Sequence, residues 1–217
     1  STSVSSFYSA LIFYFRKYKK LCVVFAFMIF ITMFSRLYVG VHTPQDVLAG
    51  LLVGAAGTSL VLLAARFVKH HPRLDWTVVA GVAVLCALLL PYMYFKDYPM
   101  DYVDGQLLVD PTKMTVGGFK DPGRLFGVVL GWYIERRWIR FDQSGTSMQK
   151  VMRCLVGALL FIFYWTAVIE PLGKAIGIGI VHFFLQASAP LLFMTVYPIL
   201  FKSIEARKEK RGEKSRF

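Results

Sequence analysis

Acidic side chains are scarce in this chain: 13 Asp and Glu stand against 25 Lys and Arg in 217 residues. Histidine and cysteine are scarcer, at four and three. Cys22, Cys86 and Cys154 each stand alone in or beside an apolar stretch, and no two have the spacing of a metal or redox pair. That excludes a disulfide framework, a structural zinc site and thiol redox chemistry as organising principles. Inert, buried thiols are expected, and no cofactor is.

Polar stretches are the next absence. A soluble domain is about 45–50% apolar and about 25% charged. This chain is 56% hydrophobic and 18% charged, with a mean hydropathy of +0.54. An ordinary soluble domain is thereby excluded and the membrane class indicated. A net charge of +12 and a pI near 9.7 would point to nucleic acid in a soluble protein. Here the basic residues lie mostly in short runs flanking apolar segments, the pattern of a cytoplasmic membrane face, so nucleic acid is not expected as a partner.

The apolar segments run roughly over 3–15, 21–39, 44–66, 76–95, 122–135, 152–172 and 175–201. About 20 helical residues at 1.5 Å each cross a hydrocarbon core of about 30 Å. The expected fold is therefore all-α, a polytopic transmembrane helical bundle with about seven apolar segments. The first segment reaches only about 20 Å by the same rise. The opening "STSVSSFYSAL" has no initiating Met and no signal-peptide pattern. The chain is expected to begin inside a helix of a longer protein, with an interfacial first segment as the competing reading.

Charge orients the segments. If "RKYKK" (16–20) is cytoplasmic and the chain alternates sides, 19 of the 25 Lys and Arg fall inside and six outside. The long polar connection 96–121 then lies outside. Its Asp97, Asp101, Asp104, Asp110 and Asp121 lack the spacing of a calcium loop, and they read as a solvated loop with a gating role open. Gly50 and Gly54, and Gly123, Gly127 and Gly131, recur at the four-residue spacing that lets helices approach closely in lipid. His182 and Gln186 share a helix face, as an interhelical hydrogen-bonding pair or as a proton or ligand site. The tail "EARKEKRGEKSRF" is charged, without apolar periodicity, and reads as disordered against anionic headgroups.

One stretch carries chemistry: "SRLYVGVHTPQDVLAG" (35–50), between the second and third apolar segments and, by the charge bias, on the non-cytoplasmic face. Thr43 before Pro44, with Asp46 two residues on, predicts a helix start with Thr43 as N-cap and Asp46 approximating a capping box. Free amides and the positive end of the helix dipole then face an anion. Arg36 closes the preceding helix and can grip phosphate oxygens with its guanidinium fork. His42, just before the cap, would face the same anion as a nucleophile, with Asp46 holding its tautomer. The structural alternative is that Arg36 snorkels, His42 caps and Asp46 only starts a helix.

Ser35-Arg36, five residues, His42, three residues, Asp46 match the S-R-x5-H-x3-D signature of the type 2 phosphatidic acid phosphatase superfamily. The chain resembles these integral-membrane lipid phosphate phosphatases, whose active site is related to that of vanadium haloperoxidases. The resemblance implies that His42 is the nucleophile, that Asp46 orients it, and that Arg36, with Ser35 beside it, binds phosphate, with no metal. It implies a lipid phosphate monoester or polyprenyl diphosphate as substrate, a phosphohistidine intermediate, and a site on the outer face of a bacterial plasma membrane or the endoplasmic reticulum. Residues 1–68 resemble the C-terminal part of the family core. Residues 69–202 read as additional transmembrane helices with the outer loop at about 96–121, and 203–217 as a basic cytoplasmic tail. "GWYIERRWIRFD" looks loosely like extensions of sphingosine-phosphate-phosphatase-like members. Two family motifs, K-x6-R-P and P-S-G-H, are absent from the chain, and "QSGTS" (143–147) lacks the His. The resemblance places both upstream of residue 1. The alternative function is a catalytically inactive relative acting as lipid-binding scaffold or transporter.

Overall fold

The computed structural model describes the backbone of residues 2–40, 42–98, 100, 102–103, 106–107, 110–142 and 144–214, and the side chains of these except 2–5, 103, 106 and 204–214. Asp101 and Asp104 of the acidic connection, and Gln143 of "QSGTS", lie outside the described residues. The chain forms two compact units, 1–74 and 75–217.

The first unit holds α1 (Thr2–Tyr14), α2 (Lys19–Tyr38) and α3 (Pro44–His70), followed by a 3-10 turn at Pro72–Leu74. α1 packs against both longer helices. Small residues make the α1–α3 approach. Ser6 Oγ donates to the Gly54 carbonyl at 3.2 Å, and Thr58 Oγ1 lies 3.3 Å from the Ser6 carbonyl. Gly50 and Gly54 are buried, as the four-residue spacing predicts. On the α2 side, Phe25 stacks on Tyr8 with ring centroids 6.0 Å apart.

The second unit is built around α5 (Pro111–Ile134) and α8 (Gly179–Lys214), with α4 (Trp76–Phe95), α6 (Ser147–Tyr164) and the short α7 (Glu170–Ala175) against them. α5 and α8 run parallel, and the glycine stripe sets their spacing. A Cβ on Gly123 would strike the Phe183 backbone, one on Gly127 the Ala187 backbone, and one on Gly131 would come within 2.9 Å of Met194 Cβ. Cys86, Phe119 and Phe183 are buried beside this seam. π-turns follow α5 at Glu135–Ile139 and α6 at Trp165–Ile169. Asp75, only 2% exposed, sits before α4 with its carboxylate 3.7 Å from Arg136 Nε. A charge buried at that depth requires such a partner.

Five described helices are long and apolar enough to cross a membrane: Lys19–Tyr38, Pro44–His70, Pro72–Phe95, Ser147–Ala175 and Gly179–Ser203. The protein is an all-α, multi-pass membrane bundle. The expected count of about seven segments is corrected to these five. α1 is too short, and α5 carries Lys113, Lys120, Asp121 and Arg124 along its length.

Two local expectations are also corrected. Residues 111–121 belong to α5, not to a loop. Asp110 caps the helix by accepting from the Thr112 and Lys113 amides at 3.0 and 3.3 Å, and Pro111 occupies the first turn. Ahead of it the described residues of the connection make a two-residue antiparallel pairing, Tyr102–Val103 with Gln106–Leu107. At the other end, α8 continues helical to Lys214 where disorder is expected. Ala, Arg, Lys and Glu, which dominate "EARKEK", are all good helix formers.

Candidate active site

α2 ends and α3 begins around a tight turn. The Val39 amide bonds the Ser35 carbonyl at 3.0 Å and the Gly40 amide bonds that of Leu37 at 3.0 Å. Gly40 then takes φ +71°, the left-handed conformation that ends a helix and that a side chain resists. Three residues later Thr43 is extended, at φ −77° and ψ 159°, and Pro44 opens α3.

The N-cap is built as the residue pattern predicts. The Asp46 amide donates to Thr43 Oγ1 at 3.2 Å, and Asp46 Oδ2 accepts from both the Thr43 amide and the Thr43 hydroxyl at 2.9 Å. The reciprocal bonds make this a full capping box. Replacing such a cap by alanine costs about 1 kcal/mol.

The other motif residues precede this helix start in the chain. Arg36 lies in the last turn of α2, exposed, and has no ion-pair or hydrogen-bond partner among the described residues. His42 is half-buried and close enough to Asp46 to feel its charge, but no hydrogen bond joins the two. Both Thr43 donors converge on Oδ2, and no described residue bonds Oδ1. Ser35 turns its hydroxyl into its own helix, donating to the Thr32 carbonyl at 2.9 Å. So the structure joins Asp46 to Thr43, holds His42 nearby, and gives the Arg36 guanidinium no partner among the described residues. Sequence reasoning missed Gly40, the residue that lets the chain leave α2 just beyond Arg36. Its signal was a lone glycine just past an apolar helical run.

In the second unit, His182 and Gln186 do not pair with each other. His182 Nε2 meets the Ile176 carbonyl at 2.8 Å, and Gln186 Oε1 accepts from Arg124 Nε at 2.9 Å. Arg124, one of the six charges that the charge bias assigns to the outer side, stands in the middle of α5.

Two family models match the chain: the PAP2 superfamily over residues 1–70, and the PAP2 superfamily phosphatase transmembrane extension over 119–209. Together they cover about three quarters of it. The chain belongs to the PAP2 superfamily of phosphatases. The first match includes the whole turn from Ser35 to Asp46, and the second includes the α5–α8 seam. No curated protein matches, and no solved structure does. With five helices able to span a bilayer, this PAP2 protein is a multi-pass membrane protein of a hydrolase family.

Proposed function

We propose that this PAP2 phosphatase hydrolyses a lipid phosphate monoester or a polyprenyl diphosphate at the non-cytoplasmic membrane face, through a phosphohistidine on His42. The observation that carries the reading is the exposed Arg36 guanidinium, without a partner among the described residues, at the end of α2 and about two helical turns of sequence before the capped start of α3. An exposed arginine close in sequence to the positive end of a helix dipole suits a phosphate dianion. His42 stands between them in sequence and attacks phosphorus as neutral imidazole, while the ester oxygen departs. Water then attacks the phosphohistidine and releases phosphate. Asp46, anchored to Thr43 through Oδ2, offers Oδ1 to the other ring nitrogen and stabilises the charge that develops there. The resemblance assigns protonation of the leaving oxygen to the His of P-S-G-H.

Inhibition by vanadate tests the anion site in the full-length protein, because its five-coordinate form resembles the transferring phosphoryl group. Arg36→Ala should weaken vanadate inhibition by about 10- to 100-fold, the size of a lost hydrogen-bonded charge contact. Arg36→Lys should weaken it less, since it keeps charge and loses the fork. Chelators should leave activity intact. No group of three His, Cys, Asp or Glu side chains able to hold a metal is found among the described residues. Activity lost to a chelator and restored by Mg²⁺ or Zn²⁺ would overturn the metal-independent mechanism.

Sidedness is checked separately. A cysteine at exposed Gln45 leaves the capping box intact and should react with an impermeant thiol reagent in intact cells. One at Ser203 should react only after permeabilisation, with the three native cysteines as background. The reverse labelling pattern would place the site on the cytoplasmic face.

A further inference from the structure

Arg124 stands on α5 among apolar helices with its side chain 45% exposed, and an arginine so placed is held by specific partners. Its surroundings are built rather than incidental. Gln186, 4% exposed, accepts from Nε at 2.9 Å and fixes the guanidinium from the protein side. The Trp165 ring lies against it, 5.4 Å from the guanidinium carbon to the ring centroid. Asp121 takes Nη1 at 2.9 Å, and no described residue bonds Nη2. Beside this group opens a groove of about 500 Å³ lined by Arg124, Phe161, Ile162, Trp165 and Thr166. The walls are apolar and aromatic, with one oriented cation.

The charges have an order along the helix axis. α5 and α8 run parallel, and α6 runs against α8, since Phe161 meets Phe193 and Tyr164 meets Ser188. Moving from Gly179 toward the far end of α8, Asp121 therefore comes first, then Arg124, then Phe161 and Ile162. Asp121 and Arg124 are separated by about 4.5 Å of helix rise, comparable with the two-carbon spacer between phosphate and ammonium in an ethanolamine head. The Asp121 carboxylate is 83% exposed, so its i,i+3 pair with Arg124 contributes little and exchanges readily. A purely anionic head would be repelled by Asp121; a head bearing both charges would satisfy both side chains.

We propose that this groove binds a zwitterionic phospholipid, with its phosphate on Arg124, its ammonium on Asp121, and its first methylenes along Phe161, Ile162 and Trp165. The site lies wholly within the transmembrane extension and does not depend on the phosphatase reading. Trp165 closes one wall, and Gln186 acts as a positioning residue that holds the fork toward the groove.

Native mass spectrometry of the full-length protein in mild detergent tests this with three probes: phosphatidylethanolamine, phosphatidylglycerol and diacylglycerol. Phosphatidylethanolamine should be retained about five-fold over either of the others, the scale of a modest charge-pair contribution. Asp121→Asn, at an exposed position that threatens no packing, should reverse the preference toward phosphatidylglycerol by a similar factor. Arg124→Gln should bring phosphatidylethanolamine retention down to the diacylglycerol level. Millimolar glycerophosphoethanolamine should not displace the lipid, because the soluble head lacks the apolar contacts. Equal retention of the two phospholipids by the unmodified protein, an unmoved ratio in Asp121→Asn, or displacement by the soluble head would overturn the proposal.

Discussion

His42→Ala should lower phosphate release by about three orders of magnitude or more while lipid phosphate still binds. A nucleophile acts in the chemical step, so its loss falls on kcat and leaves KM little changed. The substitution is structurally mild. His42 is half-buried and makes no hydrogen bond among the described residues, so the α2–α3 turn keeps Gly40 and the Thr43 cap without it. Asp46→Asn should be less damaging. An asparagine oxygen still accepts from the Thr43 amide and hydroxyl, so the cap survives while the negative charge facing the imidazole is lost. Steady-state kinetics on both variants, with unfolding midpoints beside them, separates the roles. If His42→Ala keeps activity comparable to the unmodified protein, the phosphohistidine mechanism is ruled out.

The second large effect concerns the seam between α5 and α8. Gly127→Leu should destabilise the second unit by about 3 kcal/mol or more, at the upper end of overpacking. A Cβ there runs into the Ala187 carbonyl oxygen, and it lies 2.8 Å from the Ala187 carbonyl carbon and Cα. Backbone cannot turn aside as a side chain can, so one helix must move off the other. Gly117→Ala is the control on the same helix. Nothing lies within 4 Å of its Cβ, and replacing a helical glycine by alanine should stabilise by up to about 1 kcal/mol. Thermal unfolding of the purified protein in detergent reads both. An unchanged midpoint in Gly127→Leu would mean that α5 and α8 do not pack through this stripe.

The parts that were legible in the residues are those whose physics is local. Thr43-Pro44 with Asp46 specifies its own cap, and the capping box forms as read. The apolar runs correspond to helices because a backbone in lipid must satisfy its own hydrogen bonds. Gly123, Gly127 and Gly131 announce a close approach, though not that α8 is the partner. What failed was where local signals compete. Gly117, Gly118 and Pro122 suggest a break, yet α5 runs through all three. Gly118 lies under Met93, and the Pro122 carbonyl accepts from Cys86 Sγ at 3.7 Å, so tertiary contacts hold the helix that propensity disfavours. Charge said little in the same place: Arg124 counts only as an outer-side charge until its partner Gln186, 62 positions away, is brought alongside. Neither π-turn has a sequence signature of its own.

The polar burden of α5 bears on the order in which the chain is assembled during synthesis. α5 emerges from the ribosome before α8, and alone it is a poor substrate for partitioning into lipid. Its Gly123, Gly127 and Gly131 stripe meets α8, and its arginine finds Gln186 there. α5 therefore has to wait, at the translocon or at the bilayer surface, until α8 has been made, and the two settle together. For this protein, a later apolar segment completes the insertion of an earlier one.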